Sequence, residues 1–187
     1  MFSSEEKEFM LKTARMAIKH YLETSETLEI KASELPSQKL TEDGACFVTL
    51  HYNDQLRGCI GSLEAHRPII MDIIENALAS AFGDPRFPML TKIEFPKIKI
   101  SISVLTKPEP LPINGPDDLL NKLVPKKHGL ILEKDFHRAT FLPAVWDEIP
   151  DKEEFLNHLS MKAGLPPNGW KDKDVTYKIY ESEEFSE

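Results

Sequence analysis

The run Cys46-Phe47-Val48-Thr49-Leu50-His51-Tyr52-Asn53-Asp54-Gln55-Leu56-Arg57-Gly58-Cys59-Ile60-Gly61 decides how this chain is read. β-Branched and aromatic residues precede the turn formers Asn53-Asp54, and a second short apolar run follows, which predicts a β-hairpin. Strand alternation places Val48 and Leu50 on one face and Phe47, Thr49 and His51 on the other. In the second strand Leu56, Gly58 and Ile60 share one face, and Arg57, Cys59 and Gly61 share the other. The two apolar sets coincide only if the loop holds an odd number of residues; a two-residue loop sets Leu50 opposite Arg57. The expectation is therefore a Tyr52-Asn53-Asp54 loop with Asp54 left-handed. It anchors Leu56 and Ile60 to the core, leaves Cys46 a small hydrophobe, and gathers Thr49, Arg57 and Cys59 toward a cleft or second layer.

Working outward, Ser3 and Glu6 stand at capping-box spacing before Phe9, Met10, Ala14, Ala17, Ile18 and Tyr21, predicting a helix over residues 4–22. Residues 23–44 show no sustained period and read as a connecting segment. After the hairpin, Pro68 opens a second helix whose Ile69, Ile70, Ile73, Ile74, Ala77, Leu78 and Ala81 form a broad apolar face, with Gly83 as its stop. Residues 97–104 alternate Lys97, Lys99, Ser101 and Ser103 with Ile98, Ile100, Ile102 and Val104, the signature of a half-buried strand. A proline-rich loop over 106–116 leads to a short helix through Leu123. Strands are expected at 129–133 and 139–142, a helix from Asp151 to the Gly164 stop, and a last strand at 175–180. The acidic tail from Glu181 to Glu187 reads as a solvated end. Hairpins interspersed with helices, without a regular strand–helix rhythm, predict an α+β fold with a mainly antiparallel sheet and flanking helices.

At 187 residues the chain suits one domain, 1–187, or two intimately packed lobes. Apolar residues at 41% and charged residues at 29% are a globular balance. A net charge of −8 repels a phosphate backbone, which argues against nucleic acid. Two cysteines are too few for a disulfide framework. The first residues lack a signal-peptide pattern, and no apolar run reaches membrane-spanning length, so a cytoplasmic location is expected, or a nuclear one in a eukaryote. The six histidines and two cysteines make no metal-ligand spacing, and no phosphate-binding or dinucleotide motif occurs; no metal and no cofactor are expected.

Leu56-Arg57-Gly58-Cys59-Ile60-Gly61, Asp84-Pro85-Arg86-Phe87, Ile102-Ser103-Val104-Leu105 and Phe141-Leu142-Pro143, in this order, resemble the AMMECR domain family, called protein A of the AmmeMemoRadiSam system in prokaryotes. The similarity spans nearly the whole chain. It implies an α+β domain with two lobes enclosing a cleft, and association with a Memo-like protein and a radical S-adenosylmethionine protein. It implies no cofactor.

The motif supports three functional readings. In the first, the domain binds a small anionic ligand or a protein partner through the cleft around Leu56–Gly61, using Arg57, Gly58, Gly61, Thr49, Arg86 and Arg138. In the second, Cys59 is the nucleophile of a thiol-dependent enzyme, with Arg57 favouring its thiolate. The third, a nucleic-acid-associated regulatory protein, is opposed by the charge. Each residue also has a structural reading: strand cysteines mostly pack, the glycines suit a bulge, and Arg86 can brace its loop by pairing with Asp84. The start of the Pro68 helix, beside Arg67, is a further candidate anion site.

Overall fold

The computed structural model describes residues 1–187, which form an α+β fold of four α-helices and two four-stranded sheets. Contacts divide the chain into two compact units, Met1–Leu105 with Glu183–Glu187, and Thr106–Ser182.

In the first unit, helix α1 spans Ser4–Thr24. Ser3 accepts the Glu6 amide while the Glu6 carboxylate accepts the Ser3 amide, closing the expected capping box. Its buried stripe is Met10, Thr13, Ala14, Ala17 and Ile18, the spacing of one helical face. The segment that follows is not featureless: single 3-10 turns at Ala32–Glu34 and Gln38–Thr41 fold over the core and bury Leu40 completely. Strands β1 (Ala45–Tyr52), β2 (Gln55–Gly61), β3 (Ile98–Leu105) and β8 (Ser182–Ser186) make a sheet in the order β2-β1-β3-β8. Helix α2 (Ile69–Phe82) packs on β1 and β2. Cys46, Val48 and Leu50 of β1 and Ile100 and Ile102 of β3 are fully buried in one core with both helices. On the other face lie Phe47, Thr49, His51, Ser101 and Ser103, all half-buried.

The acidic tail is not a solvated end. It forms β8, beside β3, because its acids find cations across long sequence separations: Glu183 pairs with Lys7 at 2.7 Å, and Glu187 pairs with Arg15. Charge alone had concealed Phe185, which packs against the core.

The hairpin also departs from expectation. The turn is two residues long, with Asn53 and Asp54 both left-handed at φ 52° and 60°, as a type I′ turn requires. The odd residue sits in the strand instead. The register jumps between Leu50 and His51, so that Leu50 pairs with Gly58 while His51 pairs with Leu56, and Arg57 is a β-bulge. Beyond the bulge the faces match as expected, but the register lies two residues further along than a three-residue loop sets it: Thr49 pairs with Cys59 instead of Arg57, and Val48 with Ile60 instead of Gly58. Before it the alternation is inverted, and Leu56 lands on the face of His51, 41% exposed instead of anchored in the core.

The second unit carries β4 (Glu109–Pro110), α3 (Pro116–Lys122), β5 (Gly129–Lys134), β6 (His137–Phe141), α4 (Lys152–Lys162) and β7 (Thr176–Tyr180), with sheet order β4-β7-β5-β6. Within the stretch expected to be loop, Glu109 and Pro110 pair with Ile179 and Lys178, the edge position that a proline tolerates. Trp146 stacks on Phe155 with centroids 3.7 Å apart, and its indole N–H donates to the His128 carbonyl, so the polar handle of a fully buried ring is satisfied.

Candidate functional site

Three elements converge on the motif strand: β1 beside it, α2 across one face, and the chain after α2 along its outer edge. The α2 contact explains Gly58. A Cβ on Gly58 lies 2.1 Å from the Ser80 carbonyl oxygen, so only glycine lets the helix backbone approach this closely. Ser80 then uses its hydroxyl as a rivet, donating to the Val48 carbonyl at 2.7 Å and accepting the Ile60 amide at 2.9 Å. Gly61 is bare for another reason: the Phe47 ring covers it, and a Cβ meets that ring at 2.3 Å. Both glycines are thus occupied by the protein's own packing.

Arg57, carried sideways by the bulge, is 7% exposed and donates Nε and Nη2 to the two oxygens of Glu94 at 2.9 and 3.3 Å. Its Cζ lies 5.9 Å from the centre of the Phe87 ring. Glu94 also accepts the Thr91 amide and hydroxyl, closing a Thr-x-x-Glu box that the sequence carried in plain view. The Arg57 hydrogen bonds, followed by those from Thr91, hold the Glu94 carboxyl down to about 2, against an ordinary 4.5. A carboxylate whose folded pKa is depressed stabilises the fold above its unfolded pKa and loses that contribution as pH falls. Glu94→Gln is therefore expected to cost about 2 kcal/mol at neutral pH. In urea titrations across pH, the gap from wild type is expected to close between pH 4.5 and about 2. A gap that is constant with pH refutes the pairing.

The outer edge of β2 is closed by side chains in place of a strand. Asp84 accepts the Cys59 amide at 2.9 Å, and Arg86 Nη2 donates to the Cys59 carbonyl at 3.2 Å. Asp84 is 5% exposed and also takes Arg86 Nε and Nη2 at 2.9 and 2.7 Å, so Arg86 does brace its loop. The Arg86 guanidinium and the Cys59 amide hold the Asp84 carboxyl well below the usual range. Both N–H groups of Arg86 Nη1 have no protein acceptor, and the side chain is 54% exposed.

Cys59 is half-buried, and its Sγ lies 3.1 Å from Thr49 Oγ1, its single side-chain hydrogen-bond partner. No imidazole or carboxylate hydrogen-bonds the thiol. Cys46 is sealed in the core, where burial and the neighbouring Asp72 charge push its thiol well up. On the same face as Thr49, His51, Asp54, Lys99, Ser101 and Glu184 line a groove of about 360 Å³.

The structure thus brings Thr49, Cys59 and Gly61 together on one face, sets Arg86 at the edge of the same strand, and turns Arg57 aside to Glu94. Arg138 belongs to the second unit, on β6, paired across the strand with Glu133 at 3.0 Å. Arg67 faces the carboxylates of Asp72 and Glu75, and the first helical amide, Ile69, donates to the Glu42 carbonyl, so the start of α2 is already engaged. His66 and His137 bond to main-chain carbonyls of Glu64 and Ala163. No group of side chains here is arranged to hold a metal ion, and no helix is long and apolar enough to cross a membrane. The partners that decide the site, Ser80, Glu94 and Asp72, carry no motif of their own beyond the Thr91–Glu94 spacing.

A family model described as AMMECR1 matches residues 11–185. Among curated proteins, MK0488 of Methanopyrus kandleri is 41% identical over 98% of this chain and 89% of its own length. MJ0810 of Methanocaldococcus jannaschii is 38% identical over all of this chain and 92% of its own length. The crystal structure of the uncharacterised protein PH0010 from Pyrococcus horikoshii superposes with a TM-score of 0.88 at 36% identity, covering 100% of this chain and 93% of that one.

Proposed function

The chain belongs to the AMMECR1 family, and from that membership we propose that it is a binding domain whose motif strand recognises an anionic group. The group is a carboxylate or phosphate, carried by a small ligand or by the surface of a protein partner, with the Memo-like and radical S-adenosylmethionine proteins as the partner candidates. The observation that carries the reading is the Arg86 fork. Three of its five N–H groups are spent on Asp84 and the Cys59 carbonyl, which fix the plane of the guanidinium. The two on Nη1 are left to accept an oxyanion without reorganisation. Burial of Asp84 beneath the half-exposed guanidinium turns the positive end of the pair outward. Thr49, Cys59 and Gly61, with Gly58 beneath them, shape the strand that carries this fork; Arg57 contributes by holding the neighbouring loop through Glu94.

The test uses Arg86→Lys, which keeps the charge beside Asp84 and removes the outward fork. In titrations with inorganic phosphate and with acetate followed by amide NMR, the wild type is expected to shift at Cys59, Ile60 and Arg86. The variant is expected to melt within a few degrees of wild type and lose those shifts. Equal responses from the two proteins, or none from the wild type, overturn the reading.

A further inference from the structure

The chain from Asp84 to Glu94 tracks the free edge of β2, with Asp84 fastened at Cys59 and Glu94 at Arg57. Leu90, whose amide donates to the Ala81 carbonyl, is buried between them at 3% exposure. With these three residues turned inward, the residues between them face out. Met89 is 60% exposed and Ile93 80%. Leu56, which precedes Arg57 on β2, is 41% exposed.

The charge here is opposite to that of the molecule. The protein carries −8, yet every exposed charged side chain from 84 to 97 is basic: Arg86, Lys92 and Lys97. The two acids of the stretch, Asp84 and Glu94, are consumed by arginines. Pro85, Pro88 and Pro96 restrict the backbone, so little ordering entropy is lost on contact. Exposed apolar side chains interspersed with lysines on a stiffened segment complement an acidic segment with apolar side chains.

We propose that the outer face of this segment, Met89 and Ile93 with Lys92 and Lys97, is a docking surface for an acidic, apolar-bearing segment of another protein. Its apolar side chains seat on Met89 and Ile93, and its carboxylates lie against the two lysines. The surface is distinct from the Arg86 fork.

A short fluorescent peptide of alternating glutamate and leucine serves as the probe, with lysine–leucine and glutamate–serine peptides and a single-stranded RNA oligonucleotide as comparisons. Fluorescence anisotropy is expected to show salt-sensitive binding of the glutamate–leucine peptide alone. The pair Met89→Ser and Ile93→Ser, both at exposed positions, is expected to weaken it about tenfold or more without lowering the melting temperature. The Met89/Ile93 pair is expected to keep the wild-type phosphate shifts at Cys59, Ile60 and Arg86, which separates this surface from the Arg86 fork. Equal binding by the Met89/Ile93 variant, or equal binding of the glutamate–serine peptide or the RNA, overturns the proposal. So does a self-associated protein in sedimentation that the paired substitution converts to monomer, since the face is then covered by a second copy.

Discussion

Replacing Gly58 with alanine is expected to destabilise the first unit by about 3 kcal/mol or more, lowering its melting temperature by roughly 8–12 °C. The added methyl group falls 2.1 Å from the Ser80 carbonyl oxygen and 3.0 Å from its carbon. These are backbone atoms of α2, so no side chain can rotate out of the way. The helix must lift from the sheet, and the Ser80 hydroxyl then leaves the Val48 carbonyl and the Ile60 amide. Gly83→Ala is the control: its φ is −122° and its added Cβ meets the Ala79 carbonyl oxygen at 3.2 Å, which calls for a change under about 1 kcal/mol. Thermal unfolding of the two variants side by side measures the difference. If Gly58→Ala melts with the wild type, the close approach of α2 is not what glycine serves here.

Asp72→Ala carries the second large effect, a loss of about 3–5 kcal/mol. Asp72 is fully buried on α2 and gathers four donors: the Cys46 amide at 2.9 Å, Ser62 Oγ at 2.7 Å, Arg67 Nε at 2.8 Å and Asn76 Nδ2 at 2.9 Å. Removing the carboxylate strands the Cys46 amide in the core. Arg67 keeps Glu75, and Asn76 keeps the Cys46 carbonyl. The loss is therefore localised where β1 begins. Hydrogen exchange checks it: the Cys46 amide is expected to lose protection earlier than those of Ile100 and Ile102. A variant with wild-type stability and an unchanged Cys46 exchange rate refutes the role.

These two effects illustrate why the motif was easier to find than to interpret. Glycines around a cysteine in a strand signalled an unusual place, and the place is real. Yet the glycines answer to Ser80 and Phe47, and Arg57 answers to Glu94. The hairpin shows how a correct assignment of faces can come from a mistaken loop and a mistaken register. The apolar sets had to match, so one extra residue was needed somewhere. Sequence alternation could detect that residue, but a turn insertion and a strand bulge put the same residues on the same faces from Thr49 onward, although the structure pairs Thr49 with Cys59 where a three-residue loop pairs it with Arg57. They differ at Leu56 and Arg57, where the expectation failed.

What the sequence determined by itself is whatever local periodicity encodes: the capped α1, the apolar α2, the alternating β3, the hairpin, and from these the α+β class. Burial follows directly from those patterns, since each apolar stripe has one way to leave water. Only the tertiary structure decided the bulge at Arg57, the Asp84–Arg86 seal on the edge of β2, the Ser80 rivet, and the recruitment of the acidic tail as β8 through Lys7 and Arg15. The bulge turns Arg57 toward Glu94, and each of the others is likewise a polar contact between residues far apart in the chain. Its existence depends on where two backbones come to rest, and that position is set by packing the whole core, which no local pattern of residues records.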